Sequence, residues 1–163
     1  MSVAVDIVRA WRAPRQAMHR QLADGVREDR ALIYVIAACL LIFIAQFPRL
    51  WRDSVQNPEL SFDMRVGATM LGWVFLAPLA LYIIAALSHV LAKPFGGQGT
   101  WFSARLALFW SLLVAAPIWL LNGFVSVLAG QGVIANIFAA TALLVFILVW
   151  CASFIEAERK RPD

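Results

Sequence analysis

The stretch VIANIFAATALLVFILVWCASFI, residues 133–155, runs for 23 positions without an Asp, Glu, Lys or Arg. A helix needs about 20 apolar residues, each rising ~1.5 Å, to cross a hydrocarbon core ~30 Å thick, and this stretch meets that length. Three more stretches share its character: Ala31–Phe47, Val66–Ala92 and Leu106–Ala129. Together they predict an all-α polytopic transmembrane bundle of four membrane-spanning helices, with spans at about 31–48, 66–92, 104–129 and 133–155 within residues 31–155. A cytoplasmic N-terminal segment, 1–30, carries an amphipathic helix. A charged cytoplasmic tail occupies 156–163.

Composition agrees. Hydrophobic residues make up 62% and charged residues 15%, against roughly 45–50% and 25% in soluble domains. The four spans leave no room for a separate soluble catalytic domain. The basic excess flanks the spans, where it acts as a topology signal and not as a nucleic-acid footprint, so no nucleic-acid partner is expected. Six arginines precede the first span. Eleven basic residues in all fall on the side of the N-terminus, second loop and tail, against three on the other. The positive-inside rule therefore places both termini in the cytoplasm of a membrane expected to be the bacterial inner membrane. No short apolar core with a small-residue cleavage site precedes Ala31, so the first 30 residues are expected to be retained.

Ala4, Ile7, Val8 and Trp11 fall at helical spacing with Arg9 and Arg12 on the other side. This pattern predicts a helix lying flat on the membrane surface; docking onto a partner subunit would use the same face. Pro14 should interrupt it, with a second short helix carrying Met18 and Leu22. The first span is expected to close at Pro48-Arg49, with a polar loop from Arg52 to Arg65 that turns at Asn57-Pro58 and is partly helical over 58–64. Asp53, Glu59 and Asp63 in that loop read as a solvated surface with Arg52 and Arg65, not as a metal site. Cys39 and Cys151 read as small hydrophobes within spans, without a disulfide.

The most distinctive loop is Lys93-Pro94-Phe95-Gly96-Gly97-Gln98-Gly99-Thr100-Trp101. Its glycines permit positive φ and close backbone approach, and Thr100 is a fitting N-cap. No Gly-Lys-Ser/Thr follows and no strand precedes, so a nucleotide-binding P-loop is excluded and a tight turn with Trp101 at the interface remains.

From Pro14-Arg15-x-x-Met18 ahead of the first span, and more specifically from Gly96-Gly97-Gln98-Gly99-Thr100-Trp101-Phe102 followed by Arg105-Leu106-x-Leu108 and a helix broken at Pro117, the chain resembles the YIP1 family of small multispanning proteins. The resemblance implies a compact bundle of four or five helices with a cytoplasmic N-terminal region. Eukaryotic relatives are linked to Rab GTPases, vesicle traffic and membrane shaping. This chain lacks the Asp-Leu-Tyr…Gly-Pro segment of that branch, so only the fold and a scaffold-like character carry over.

Within the spans the ionisable side chain is His89, near one end of the second. A proton relay or a zinc site needs more than one such group, so His89 reads as snorkelling or hydrogen-bonded, and no metal or cofactor is expected. Gln46, Thr69, Asn122 and Asn136 share a depth near the non-cytoplasmic side. They predict interhelical hydrogen bonds or a small polar pocket open to that side. Pro78 and Pro117 should kink the second and third spans, and Ala68/Gly72 and Ala135/Ala139 are candidate close-contact faces.

No nucleophile–base pair can be assembled, so the chain is not expected to be an enzyme. The sequence supports a non-catalytic accessory or scaffold protein that binds a larger membrane complex, forms a homo-oligomer or organises membrane lipids. Trp11, Arg12, Arg15, Gly96, Gly97 and Trp101 are its candidate contacts with partner or lipid. The alternative is a small transporter or permease component using the pocket of Gln46, Thr69, Asn122 and Asn136.

Overall fold

The computed structural model describes residues 3–57, 59–128 and 132–159. Two short helices, α1 (Val3–Arg12) and α2 (Pro14–Ala23), precede the long α3 (Glu28–Gln56). The next crossing is built from α4 (Phe62–Met70), a π-helical turn (Leu71–Leu76) and α5 (Ala77–Ala92). After the glycine-rich loop come α6 (Trp101–Leu128) and α7 (Val133–Ala157). Four helices in this set are long and apolar enough to cross a membrane. The expected turn at Asn57-Pro58, the end of the third span at Ala129, and the tail residues Lys160 and Arg161 include positions outside the described residues.

α6 is the axis of the bundle. From Phe102 to Ala116 it is buried on all sides except at the half-exposed Arg105, as expected of a helix that is apolar all round. α3 and α7 pack along it and α5 covers a third flank. Close approach to α3 depends on Gly123, where a Cβ would stand 2.5 Å from the Ala45 carbonyl oxygen. The second crossing is peripheral: 6% of its apolar stretch is buried, against 56% for α6, so Phe75, Leu79, Ile83 and Leu87 face outward. Ala68 is exposed and the space beside Gly72 is open, so that small-residue pair is not a contact face within the chain. Ala135, by contrast, is buried.

The prolines behave differently from one another. Pro78 follows the π turn, in which the Ala77 N–H bonds the Gly72 carbonyl; widening the helix there accommodates a ring that an α-helical turn would exclude. Pro117 lies inside an unbroken α6. Pro48 does not end α3, contrary to the sequence expectation. The helix runs eight residues further to Gln56, held by Arg52 donating to the Ser126 carbonyl and by Trp51 against Phe62 at 5.6 Å. These tertiary contacts outweigh one lost backbone bond.

The N-terminal helices break at Pro14 as expected, and both dock against the bundle. α1 is amphipathic. Ala13 is non-helical, Pro14 opens α2, and the two helices form an elbow. At that elbow the Trp11 indole N–H donates to the Val114 carbonyl at 2.9 Å. Val114 is near the midpoint of α6, about 20 Å from its Trp101 end at ~1.5 Å per residue. The elbow therefore sits beside the middle of the bundle, and the two helices form a hairpin. Part of its apolar surface goes to protein, with Ala10 and Met18 fully buried and Leu22 nearly so, while Val3, Val5, Val8 and Trp11 stay exposed. Tyr34 on α3 donates to Gln21 Oε1 at 3.0 Å, and Arg30 pairs with Asp24 at 2.5 Å, securing the base of α2.

Candidate functional site

Three groupings bear on function. The first is a buried polar clasp at the glycine-rich-loop end of the bundle. α5 brings His89 there and the last turn of α7 brings Glu158; the Nδ1–H of His89 donates to Glu158 Oε1 at 2.8 Å. Both side chains are buried, at 4% and 8% exposure. The loop closes over them: Gly99 N–H donates to Glu158 Oε2 at 3.0 Å, and Gln98 N–H to the Glu158 carbonyl at 2.9 Å. Glycine is required for this approach, because a Cβ on Gly97 would meet Glu158 Oε2 at 2.7 Å and one on Gly99 the Ala157 carbonyl at 2.5 Å. Gly96, at φ +84°, makes the left-handed turn out of the Lys93–Phe95 helical turn.

Trp101 then packs against the His89 ring in a tilted arrangement, with centroids 4.7 Å apart, and Lys93 Nζ lies 5.5 Å from the Trp101 ring centre. Thr100 and Ser103 exchange reciprocal hydrogen bonds, with Ser103 N–H donating to Thr100 Oγ1 at 3.1 Å and Thr100 N–H to Ser103 Oγ at 2.9 Å. They form a capping box that starts α6. The clasp thus fixes α5, α6 and α7 to one another at one end, and Arg105 ties α3 to the same end by bonding Glu28. A buried charge held by this many donors stabilises one geometry, and removing any donor leaves it uncompensated.

The second grouping is the hairpin. Arg9, Arg12 and Arg20 line the cleft between α1 and α2, a space of about 680 Å³. Arg15 is exposed on α2 but faces away from that cleft. On the elbow's other flank, Trp11 and Pro14 border an apolar groove of about 330 Å³ with Ile118 of α6 and Val145, Leu148 and Val149 of α7.

The third is a cleft of about 260 Å³ at the opposite end, where Gln46, Asn122 and Asn136 converge with Arg49. Thr69 is not among its lining residues. Asn122 Oδ1 is buried there without a hydrogen-bond partner. Cys39 is buried and Cys151 exposed; both are free thiols. No group of three metal-ligating side chains occurs among the described residues.

Of the sequence candidates, Trp11 and Arg12 meet in the hairpin, Gly96, Gly97 and Trp101 meet at the clasp, and Gln46, Asn122 and Asn136 meet in the far cleft. Glu158 escaped the sequence reading because it falls in the tail, three residues beyond the last span. The spacing of Gly97 and Gly99 was the available signal that something buried lies against that loop.

These features define an integral membrane protein: four apolar helices with α6 at the centre, an N-terminal hairpin docked on them and a polar clasp at one end. The chain belongs to the Yip1 family, since the Yip1 domain model matches residues 8–155, which include the elbow of the hairpin and all four spans. Comparison with curated proteins and with solved structures gives no match.

Proposed function

We propose that the protein is a non-catalytic membrane scaffold that organises the lipid, or a partner complex, around its hairpin. The observation that carries this reading is the elbow at Trp11–Pro14, seated on the midpoint of α6 with Arg9, Arg12 and Arg20 along the cleft behind it. A wedge of this kind displaces lipid from one leaflet only. The cost of holding guanidinium groups below the headgroups draws phosphate and water inward. The excess of basic residues beside the N-terminus, second loop and tail supports the cytoplasmic leaflet as the side of the hairpin. The clasp supports the same reading, because it rigidifies the end of the bundle against which the hairpin leans.

The test is recovery of the tagged full-length chain from its native membrane in mild detergent, with mass spectrometry of co-purifying protein and lipid. A scaffold retains a stoichiometric partner or bound lipid, and Trp11→Ala and Arg12→Glu each release it. Recovery of bare protein, with the two variants indistinguishable from wild type, would sink the reading.

One observation favours a second reading, a small transporter or permease component: Gln46, Asn122 and Asn136 share a cleft with the unpartnered Asn122 Oδ1. Such a component loses flux in Asn122→Leu while accumulating normally in the membrane.

A further inference from the structure

The geometry points to the α1–α2 cleft as a binding site for the headgroup of an anionic phospholipid. This rests on the lipid-organising reading above and names its ligand. Four arginines and two aspartates line the cleft. Arg30 is paired with Asp24 at 2.5 Å and Arg9 loosely with Asp6 at 3.9 Å. Arg12 and Arg20 have no ion-pair partner among the described residues, which leaves two uncompensated guanidinium groups bordering a space of about 680 Å³. Guanidinium is the side chain whose planar fork matches phosphate oxygens, and Gln16 adds an uncharged donor on the same wall.

Depth selects the lipid over a soluble anion. The cleft runs along α2 from Asp24, level with the start of α3, to the elbow, a distance of about 15 Å for ten residues. At the elbow, Trp11 bonds the middle of α6. A cationic cleft that descends to acyl-chain depth is costly unless an anion follows it inward. The apolar groove bounded by Trp11, Pro14, Val145 and Leu148 begins at the same elbow, so acyl chains have an adjoining surface.

The test is native mass spectrometry of the full-length protein titrated with phosphatidylglycerol, phosphatidylcholine or soluble glycerol phosphate. Phosphatidylglycerol is expected to bind about tenfold more tightly than phosphatidylcholine, and Arg12→Gln with Arg20→Gln to remove that advantage, as two charge-assisted contacts imply. Arg15→Gln, which removes one positive charge from α2 outside the cleft, is expected to change nothing.

Should the double variant misfold, wild type carries the test alone: raising salt to ~0.5 M should weaken phosphatidylglycerol binding severalfold and leave phosphatidylcholine unchanged. Equal affinity for the two lipids, or an Arg15→Gln loss as large as the double variant's, overturns the site. Displacement of phosphatidylglycerol by glycerol phosphate at comparable concentration overturns the lipid assignment in favour of a free phosphate. Partners that survive into the same spectra report on the scaffold reading separately.

Discussion

Replacing Glu158 with alanine should loosen one end of the bundle by an amount that can be worked out from its contacts. The carboxylate is 8% exposed and accepts from His89 Nδ1 at 2.8 Å and Gly99 N–H at 3.0 Å. Removing it leaves two donors without acceptors, each costing about 1–3 kcal/mol when buried. Gly99 also borders a cleft of about 370 Å³ that gives water access to its side of the pair, so its share falls at the low end and the total comes to about 2–4 kcal/mol. His89→Ala should cost a similar ~2–4 kcal/mol, because it leaves a buried carboxylate short of a partner. Because each variant removes the same bond, the double variant should cost ~1–3 kcal/mol less than the sum. The assay is unfolding by increasing dodecyl sulfate in mixed micelles, followed by tryptophan fluorescence and circular dichroism. Single variants within about 0.5 kcal/mol of wild type, or strictly additive effects, would refute the clasp as the element joining α5, α7 and the glycine-rich loop.

Other substitutions probe different joints. Gly123→Ala should destabilise by about 1–3 kcal/mol in the same unfolding assay, since its Cβ would meet the Ala45 backbone, whereas Gly72→Ala, facing open space, should be neutral. Tyr34→Phe removes the bond to Gln21 and should cost about 1 kcal/mol; limited trypsin digestion should then cut faster at Arg15 and Arg20. Trp11→Phe keeps an aromatic ring but loses the bond to Val114, and should cost about 0.5–1.5 kcal/mol with the same gain in proteolysis.

Hydropathy and charge alone made the four spans legible, because a chain this apolar has few other ways to satisfy its backbone. Helix ends were less so. Pro48 looked like a terminus, yet Trp51 and Arg52 hold the helix together beyond it through partners that lie far away in sequence. The cleft was half legible: depth along a helix follows from residue count, and Gln46, Asn122 and Asn136 line one cleft. Facing depends on packing, which left Thr69 elsewhere. His89 read as solitary because its partner sits 69 residues away, beyond the final span.

The hairpin was the largest surprise. An apolar stripe on α1 fits a lipid surface and a protein groove equally well, so Ile7 and Trp11 could not decide between them. The informative residues were in α6. A helix buried on nearly every side over Phe102–Ala116 needs cover all round, and the three other spans leave a flank that α1 reaches while α2 packs on α7.

Insertion of the elbow to the depth of Val114 is therefore the claim to test first, with a bimane label at Pro14→Cys in a Cys39→Ala, Cys151→Ala background reconstituted into bilayers. Nitroxide quenchers placed deep in the lipid acyl chains should quench the label more strongly than quenchers carried on headgroups. The reverse order would put the elbow on the membrane surface and contradict the inserted hairpin.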